Sequence, residues 1–291
     1  MARSTVETAE AILDQPIPCL DKGFVRLVDY MGGDDRIVQS ARVSYGAGTK
    51  SYRQDRGLIH YLLRNRHTSP FEQVVLTFHA KMPILVARQW VRHRMARLNE
   101  ISGRYSVMQD EFYVPAPEHV ATQSSDNKQG RGTALPLDEA AVVIEAMVEE
   151  QKQAYAAYQA QLERGVAREL ARSNLPLSLY TEWYWQIDLN NLFKFLELRM
   201  DGHAQYEIRV FANAMAECAK AVAPIAYEAF EEHILGAVTL SKSECAAFGR
   251  LLAGQEHGLD GRTLVQFESK LAKIQASVPS DTPDEPQLPS A

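Results

Sequence analysis

Between Arg88 and Arg104 the chain sets five arginines and His93 against a single acid, Glu100. The protein as a whole has a formal charge of −6, so this +4 segment leaves a remainder at −10. Crowded guanidinium groups repel one another, and such clustering is relieved when an anion completes the site. Arginine's planar fork suits phosphate better than an ammonium does. The segment also carries Trp90, Val91, Met95, Leu98, Ile101 and Tyr105, too apolar a set for a solvated charge tract. It reads as the wall of an anion pocket, with the Ser102-Gly103 amides as further donors.

Two later arginines are candidates for the same pocket. Arg172 stands in Arg168-Glu-Leu-Ala-Arg172-Ser-Asn; its bland alternative is a surface pair with Glu169, three residues away. Arg199 closes the apolar run Leu192, Phe193, Phe195, Leu196, Leu198. Spacing alone favours a helix-end role for it, compensating the C-terminal dipole or pairing with Glu197 or Asp201. His203 reads as a local hydrogen-bonding residue. The eight histidines are scattered with no HxxxH, so no metal site is expected. Ser102 lies in no GxSxG turn. Cys19, Cys218 and Cys245 form neither a CxxC nor a disulfide framework.

The elements that must position these residues follow from periodicity. Residues 1–19 read as a loosely held arm. From Phe24 to Asp29 the pattern is strand-like up to Gly32-Gly33. Leu58/Ile59 and Leu62/Leu63 give a helix over 52–66, ended at Pro70. Gln73–Lys81 is β-like. Pro83 opens a helix through Trp90 that puts Arg88 and Arg92 one turn apart, leading into a loop, Arg94–Ser102. Residues 116–136 read as a polar loop, 137–164 as a long helix with Ile144, Met147, Tyr155, Tyr158 and Leu162 inward. Leu177–Leu189 is β-like, with helices over 190–200 and 204–235. Ser241-x-x-Glu244 is a capping box. The chain after Gln275 is Pro/Ser/Asp-rich and expected to be disordered.

The bulk composition is that of a globular protein, 46% hydrophobic and 23% charged. No apolar run reaches a bilayer span and no signal-peptide pattern opens the chain, which points to the cytoplasm. An acidic chain of pI near 5.8 is a poor nucleic-acid binder. The residues by themselves thus give an α+β protein with an arginine-built site for a phosphorylated ligand, and no reaction.

Arg92-His93-Arg94 followed by seven residues and Ser102 resembles the RHR-x7-S signature of flavin-dependent thymidylate synthases. In the family's order over about residues 20–235 stand Leu20-Asp-Lys-Gly-Phe-Val-Arg-Leu-Val, Ala41-Arg-Val-Ser44, His67-Thr-Ser-Pro-Phe-Glu72, Ala87-Arg-Gln-Trp90, Asn99-Glu-Ile-Ser-Gly-Arg-Tyr105, Leu175-Pro-Leu-Ser-Leu-Tyr-Thr181 and Leu198-Arg-Met-Asp-Gly-His-Ala-Gln205. The resemblance implies a central β-sheet flanked by helices, with long helices forming a homotetramer whose sites lie where subunits meet. It implies reductive methylation of dUMP to dTMP, with 5,10-methylenetetrahydrofolate as carbon donor and NADPH-reduced FAD as hydride donor. Around dUMP it places Gln89, Trp90, Val91, Arg92, Glu100, Ile101, Ser102, Gly103, Arg104, Arg172 and Arg199, with Arg199 catalytic. Around FAD it places Ser44, His67, Ser69, Glu72, Arg92, His93, Arg94, Glu100, Asp188, Leu189, Asn190, Lys194 and His203.

Four positions depart from the commoner pattern: Arg97 for serine, Gln73 for histidine, and Asp188 and Lys194 for asparagines. The expected organisation is an arm (1–19), the synthase domain (20–236), a short helical extension (237–275) and a tail (276–291). The arm and the region after 236 fall outside the resemblance. Two other readings compete: an arginine-rich nucleotide- or RNA-binding module without catalysis, against which the acidic remainder argues, and a phosphohydrolase, which lacks metal ligands.

Overall fold

The computed structural model describes residues 5–43, 52–125 and 129–277; Ser44 and the tail from residue 278 lie outside these. The chain divides into two units, 1–235 and 236–291.

The first unit is built on a five-stranded antiparallel sheet of order β1-β2-β3-β7-β4. Its strands are β1 (Pro16–Cys19), β2 (Gly23–Met31), β3 (Val75–Pro83), β4 (Ala96–Glu100) and β7 (Tyr180–Asp188). Alternation at period two is plain: Leu76, Phe78, Ala80 and Met82 of β3 and Trp183, Trp185 and Ile187 of β7 are buried, while their neighbours are less so. That inner face packs against α4 (Ile84–Trp90), α7 (Leu189–Arg199) and α8 (Tyr206–Val222). All three tryptophans meet there. Trp90 lies edge-on to Trp183 and Trp185, with ring centroids 5.3 and 5.4 Å away. Arg26, Thr77, His79, Tyr184 and Gln186 stand on the other face, and β4 is an edge strand.

Several expectations are corrected by tertiary partners. The described part of the arm is no loose segment. It forms α1 (Glu7–Glu10), with Ala9 buried, and β1, which pairs with β2. The expected loop Arg94–Ser102 contains β4, whose backbone groups are paired with Ile187 to Trp183 of β7. The polar stretch 116–136 folds a hairpin of β5 (Ala121–Gln123) and β6 (Arg131–Ala134). The helix expected over 204–235 breaks at Ala223. There Pro224 starts α9 (Pro224–Phe230), followed by a π turn at Glu231–Leu235. Pro83 sits just outside α4 as its N-cap.

The long helix is α5 (Leu137–Glu163), and Tyr158 is buried on it as expected. Its Tyr158 hydroxyl accepts from the Met108 amide at 3.1 Å, and Tyr155 donates to the Met108 carbonyl at 3.0 Å. A small second core of Met108, Phe112, Ala171 and Leu179 forms around these contacts. It supports the chain just after Ser102-Gly103-Arg104.

The second unit holds α10 (Lys242–Leu252) and α11 (Gly261–Ala276). The capping box of Ser241 and Glu244 is present, and Glu244 also accepts two bonds from Lys270 at 2.7 Å. No helix among the described residues is long and apolar enough to cross a membrane.

Candidate active site

The polar residues gather at three places. At the first, α4 ends and the chain turns through Val91–Met95 beside the C-terminus of α7. Arg199, the last residue of α7, donates from Nε to His93 Nε2 at 3.1 Å and from Nη2 to the Gln89 carbonyl at 3.3 Å. Burial, then the charges of Arg199 and Arg92, push the His93 imidazole down to about 4. His93 is therefore neutral at pH 7. Since its Nε2 accepts from Arg199, its proton sits on Nδ1. Burial and the neighbouring Arg92 likewise lower the Arg199 pKa. Arg199 thus does more than complement a helix dipole. His203 is exposed and bonded to Asp201 at 2.7 Å, the local role expected from spacing.

The His93 shift has a sign that is open to test. Between about pH 6.5 and about 4 the unfolded chain holds a proton on this imidazole that the folded protein does not. Stability contributed here is therefore lost as the pH falls through that window. Melting temperatures from pH 7 to 4.5 should fall more steeply for the native protein than for His93→Gln, which keeps an acceptor for Arg199 without titrating.

At the second place, beyond β4, Ile101 to Arg104 meet Arg172. The Ile101 amide donates to the Glu182 carbonyl at 2.9 Å, extending the register of β4. Ser102 Oγ accepts from the Arg104 amide at 3.3 Å. Gly103 is buried with Arg172 lying against it; a β-carbon there would approach Arg172 Cδ to 2.9 Å and Met108 Sδ to 2.9 Å. Glu169 pairs with Arg104, not Arg172, at 2.9 Å. Arg88, Arg92, Arg94, Arg97 and Arg172 have no ion-pair partner among the described residues. Glu100 accepts from Thr181 Oγ1 at 2.5 Å. With Ile101, His79, Asn99, Glu182, Trp183 and Tyr184 it borders a cleft of about 290 Å³ on the sheet's outer face.

The third place is the other end of α7. The pairing Val75↔Asp188 sets the turn Ser69–Gln73 beside the start of α7. Asn190 donates to Glu72 Oε1 at 3.2 Å, and the buried Leu189 donates its amide to the Val74 carbonyl at 2.8 Å. Asp188 caps α7 by accepting from the Asn191 amide at 2.9 Å, a duty aspartate performs as well as asparagine. Asp188 and Lys194 do not pair directly. The Asn191 side chain lies between them, donating to Asp188 at 2.8 Å and accepting from Lys194 at 3.5 Å. His67 is exposed at this end, edge-on to Tyr61.

One expected contact needs correction. Trp90 is 0% exposed within the aromatic core, so neither its side chain nor its backbone is open to a ligand in this structure. Conversely, residues not anticipated lie beside the first cluster. Glu207, 1% exposed, accepts from Tyr113, Arg131 and Gln205. Burial pushes its carboxyl up, but the bonds from Arg131, its own backbone and Gln205 outweigh that and hold it below the usual range. No group of metal-ligating side chains occurs among the described residues.

Comparison with known proteins gives this geometry a context. The family described as thymidylate synthase complementing protein matches residues 26–225, and the thymidylate synthase ThyX C-terminal domain matches 238–275. The second match corrects the expectation that the chain after 236 lies outside the resemblance. A flavin-dependent thymidylate synthase of Treponema denticola is 60% identical over 89% of this chain and 98% of its own length. One of Ruegeria pomeroyi is 50% identical over 91% and 90%. A crystal structure of the UMP/dUMP methylase PolB of Streptomyces cacaoi, bound with 5-Br dUMP, aligns at TM-score 0.69 and 32% identity over 75% of this chain and 98% of that one. With a family model covering most of its length and relatives similar nearly end to end, the chain belongs to the flavin-dependent thymidylate synthase family.

Proposed function

We propose that this protein converts dUMP to dTMP, taking the one-carbon unit from 5,10-methylenetetrahydrofolate and the reducing equivalents from NADPH through FAD. The observation that carries this reading is Arg199. It is a partly buried cation held by two neutral acceptors, an imidazole and a peptide carbonyl. Its charge remains available for negative charge developing on the uracil when C5 becomes the nucleophile. No protein nucleophile is then required. Cys19 and Cys218 are buried, with thiols pushed up by burial to about 12, and lie outside the clusters described.

Arg104, Arg172 and the Ser102-Gly103 amides form a donor set suited to the nucleotide phosphate. The flavin fits the remaining groups. Arg92 and Arg94, with no ion-pair partner among the described residues, are cations suited to a pyrophosphate, and Glu72 and Asn190 offer paired acceptors and donors at the far end of α7. Bound FAD supplies the two-electron chemistry; the chain's residues orient, neutralise and polarise. Ser44, Ser69, Lys194 and His203 belong to the same proposal as flavin contacts.

The clusters around Arg199 and Arg172 flank β4, whose four residue steps span ~14 Å. That spacing favours a site completed by another copy, and a homotetramer with shared sites, in the cytoplasm, is part of the proposal. The test is direct: the protein should be yellow, bleach with NADPH, and release dTMP only when dUMP and the folate are both present. A colourless protein that binds polymers with steep salt dependence would support the RNA-binding alternative instead.

A further inference from the structure

Glu207 has no place in the roles above, yet it is the most completely buried carboxylate among the described residues. Its Oε1 accepts from the Tyr113 hydroxyl at 2.9 Å and from Arg131 of β6. Its Oε2 accepts from Gln205 Nε2 at 2.7 Å. Gln205 Oε1 in turn accepts from Gln89 Nε2 at 2.5 Å. An ionised carboxylate can only accept. Gln205 must therefore turn its NH2 toward Glu207 and its carbonyl toward Gln89. Gln89 must then turn its NH2 toward Gln205, using one of its two N–H donors there and leaving its carbonyl oxygen unspent by the relay. The amide orientations along this relay are imposed by chemistry, and the end of the relay is an acceptor.

We propose that Glu207 is a positioning residue that sets the hydrogen-bonding polarity of Gln89, so that the Gln89 side chain presents its Oε1, an acceptor, to a donor group of the nucleotide. The inference rests on the preceding reading that Gln89 faces dUMP. The relay also explains why a carboxylate stands where a buried amide would fill the same space. A glutamine at 207 keeps one acceptor for Tyr113 and Arg131 but turns an NH2 toward Gln205. Gln205 and then Gln89 must flip, and Gln89 offers the nucleotide a donor in place of an acceptor.

The test measures dUMP affinity by calorimetry on the flavin-loaded protein, independently of turnover. Glu207→Gln and Gln205→Ala should each weaken dUMP binding about tenfold, the scale of one lost hydrogen bond. Their flavin spectra should stay those of the native protein, and Gln205→Ala should keep the native melting temperature, whereas Glu207→Gln gives up the ion pair with Arg131 and should melt lower. Adding Gln89→Glu to Glu207→Gln restores an acceptor at the end of the reversed relay, so the double variant should bind dUMP more tightly than Gln89→Glu alone. A merely structural carboxylate would give no such rescue. If Glu207→Gln does not fold, Gln205→Ala still decides, because Gln205 is exposed and its truncation opens no cavity. Unchanged affinity in Gln205→Ala, or a double variant no better than Gln89→Glu, overturns the relay while native binding of dUMP leaves the main reading intact. A native protein that binds no dUMP overturns both.

Discussion

Replacing Arg199 with alanine is expected to lower kcat by about 10²- to 10³-fold while the protein stays folded and retains its flavin. The scale is that of removing a preorganised cation from developing charge in a partly water-excluded site. α7 is held by Leu192, Phe193, Phe195 and Leu196, all buried, and not by Arg199, so the fold does not depend on this side chain. Loss should appear in kcat rather than in KM for dUMP, because the cation acts chiefly on charge that develops in the transition state. Arg199→Lys should recover little. A lysine ammonium cannot hold His93 Nε2 and the Gln89 carbonyl in the planar geometry of a guanidinium and still face a third group. Single-turnover formation of dTMP with pre-reduced flavin is the measurement. Near-native turnover in the alanine variant would remove Arg199 from the chemistry.

How far such an arrangement was legible in the chain depends on the range of the interactions that create it. β3, β7 and α5 declare themselves locally, since burial on one face imposes its period on the residues. β4 does not. Ala96-Arg-Leu-Asn-Glu100 alternates only weakly and has no buried face to impose a period, and it is a strand because β7 offers hydrogen bonds along its edge. Trp90 was legible as part of an arginine-rich run but not as core. Its burial comes from Trp183, Trp185 and Phe195, about a hundred residues away. Glu207 is the extreme case. In Gln205-Tyr-Glu-Ile-Arg it looks like an ordinary acid in the first turn of a helix, favourable to the dipole and solvated. Only Tyr113 and Arg131, brought over by the hairpin and the segment before it, make it a buried hub. Asp188 is the reverse: a departure from the family pattern that appears disruptive in sequence becomes a helix cap in the structure.

The phosphate end should respond differently from the uracil end, and Arg172 is the residue that separates them. Arg104 already shares its charge with Glu169, both side chains being more than half exposed, whereas Arg172 carries no ion pair among the described residues. An anion at Ser102-Gly103 should therefore draw more from Arg172 than from Arg104, despite Arg104's position in the signature segment. Arg172→Ala should raise KM for dUMP by roughly 10- to 100-fold, the scale of charge-assisted hydrogen bonds to phosphate. kcat should stay within about threefold, because the phosphate does not change charge during the reaction and its binding is uniform between ground and transition state. Arg104→Ala should have the smaller effect. Deoxyuridine, which lacks the phosphate, supplies the control: whatever slow turnover it supports should be the same in the native protein and in Arg172→Ala, since without the phosphate there is no interaction left for the substitution to remove. If the variant instead loses deoxyuridine and dUMP turnover in equal proportion, Arg172 acts on the loop beneath it through Gly103, and the phosphate must be held elsewhere.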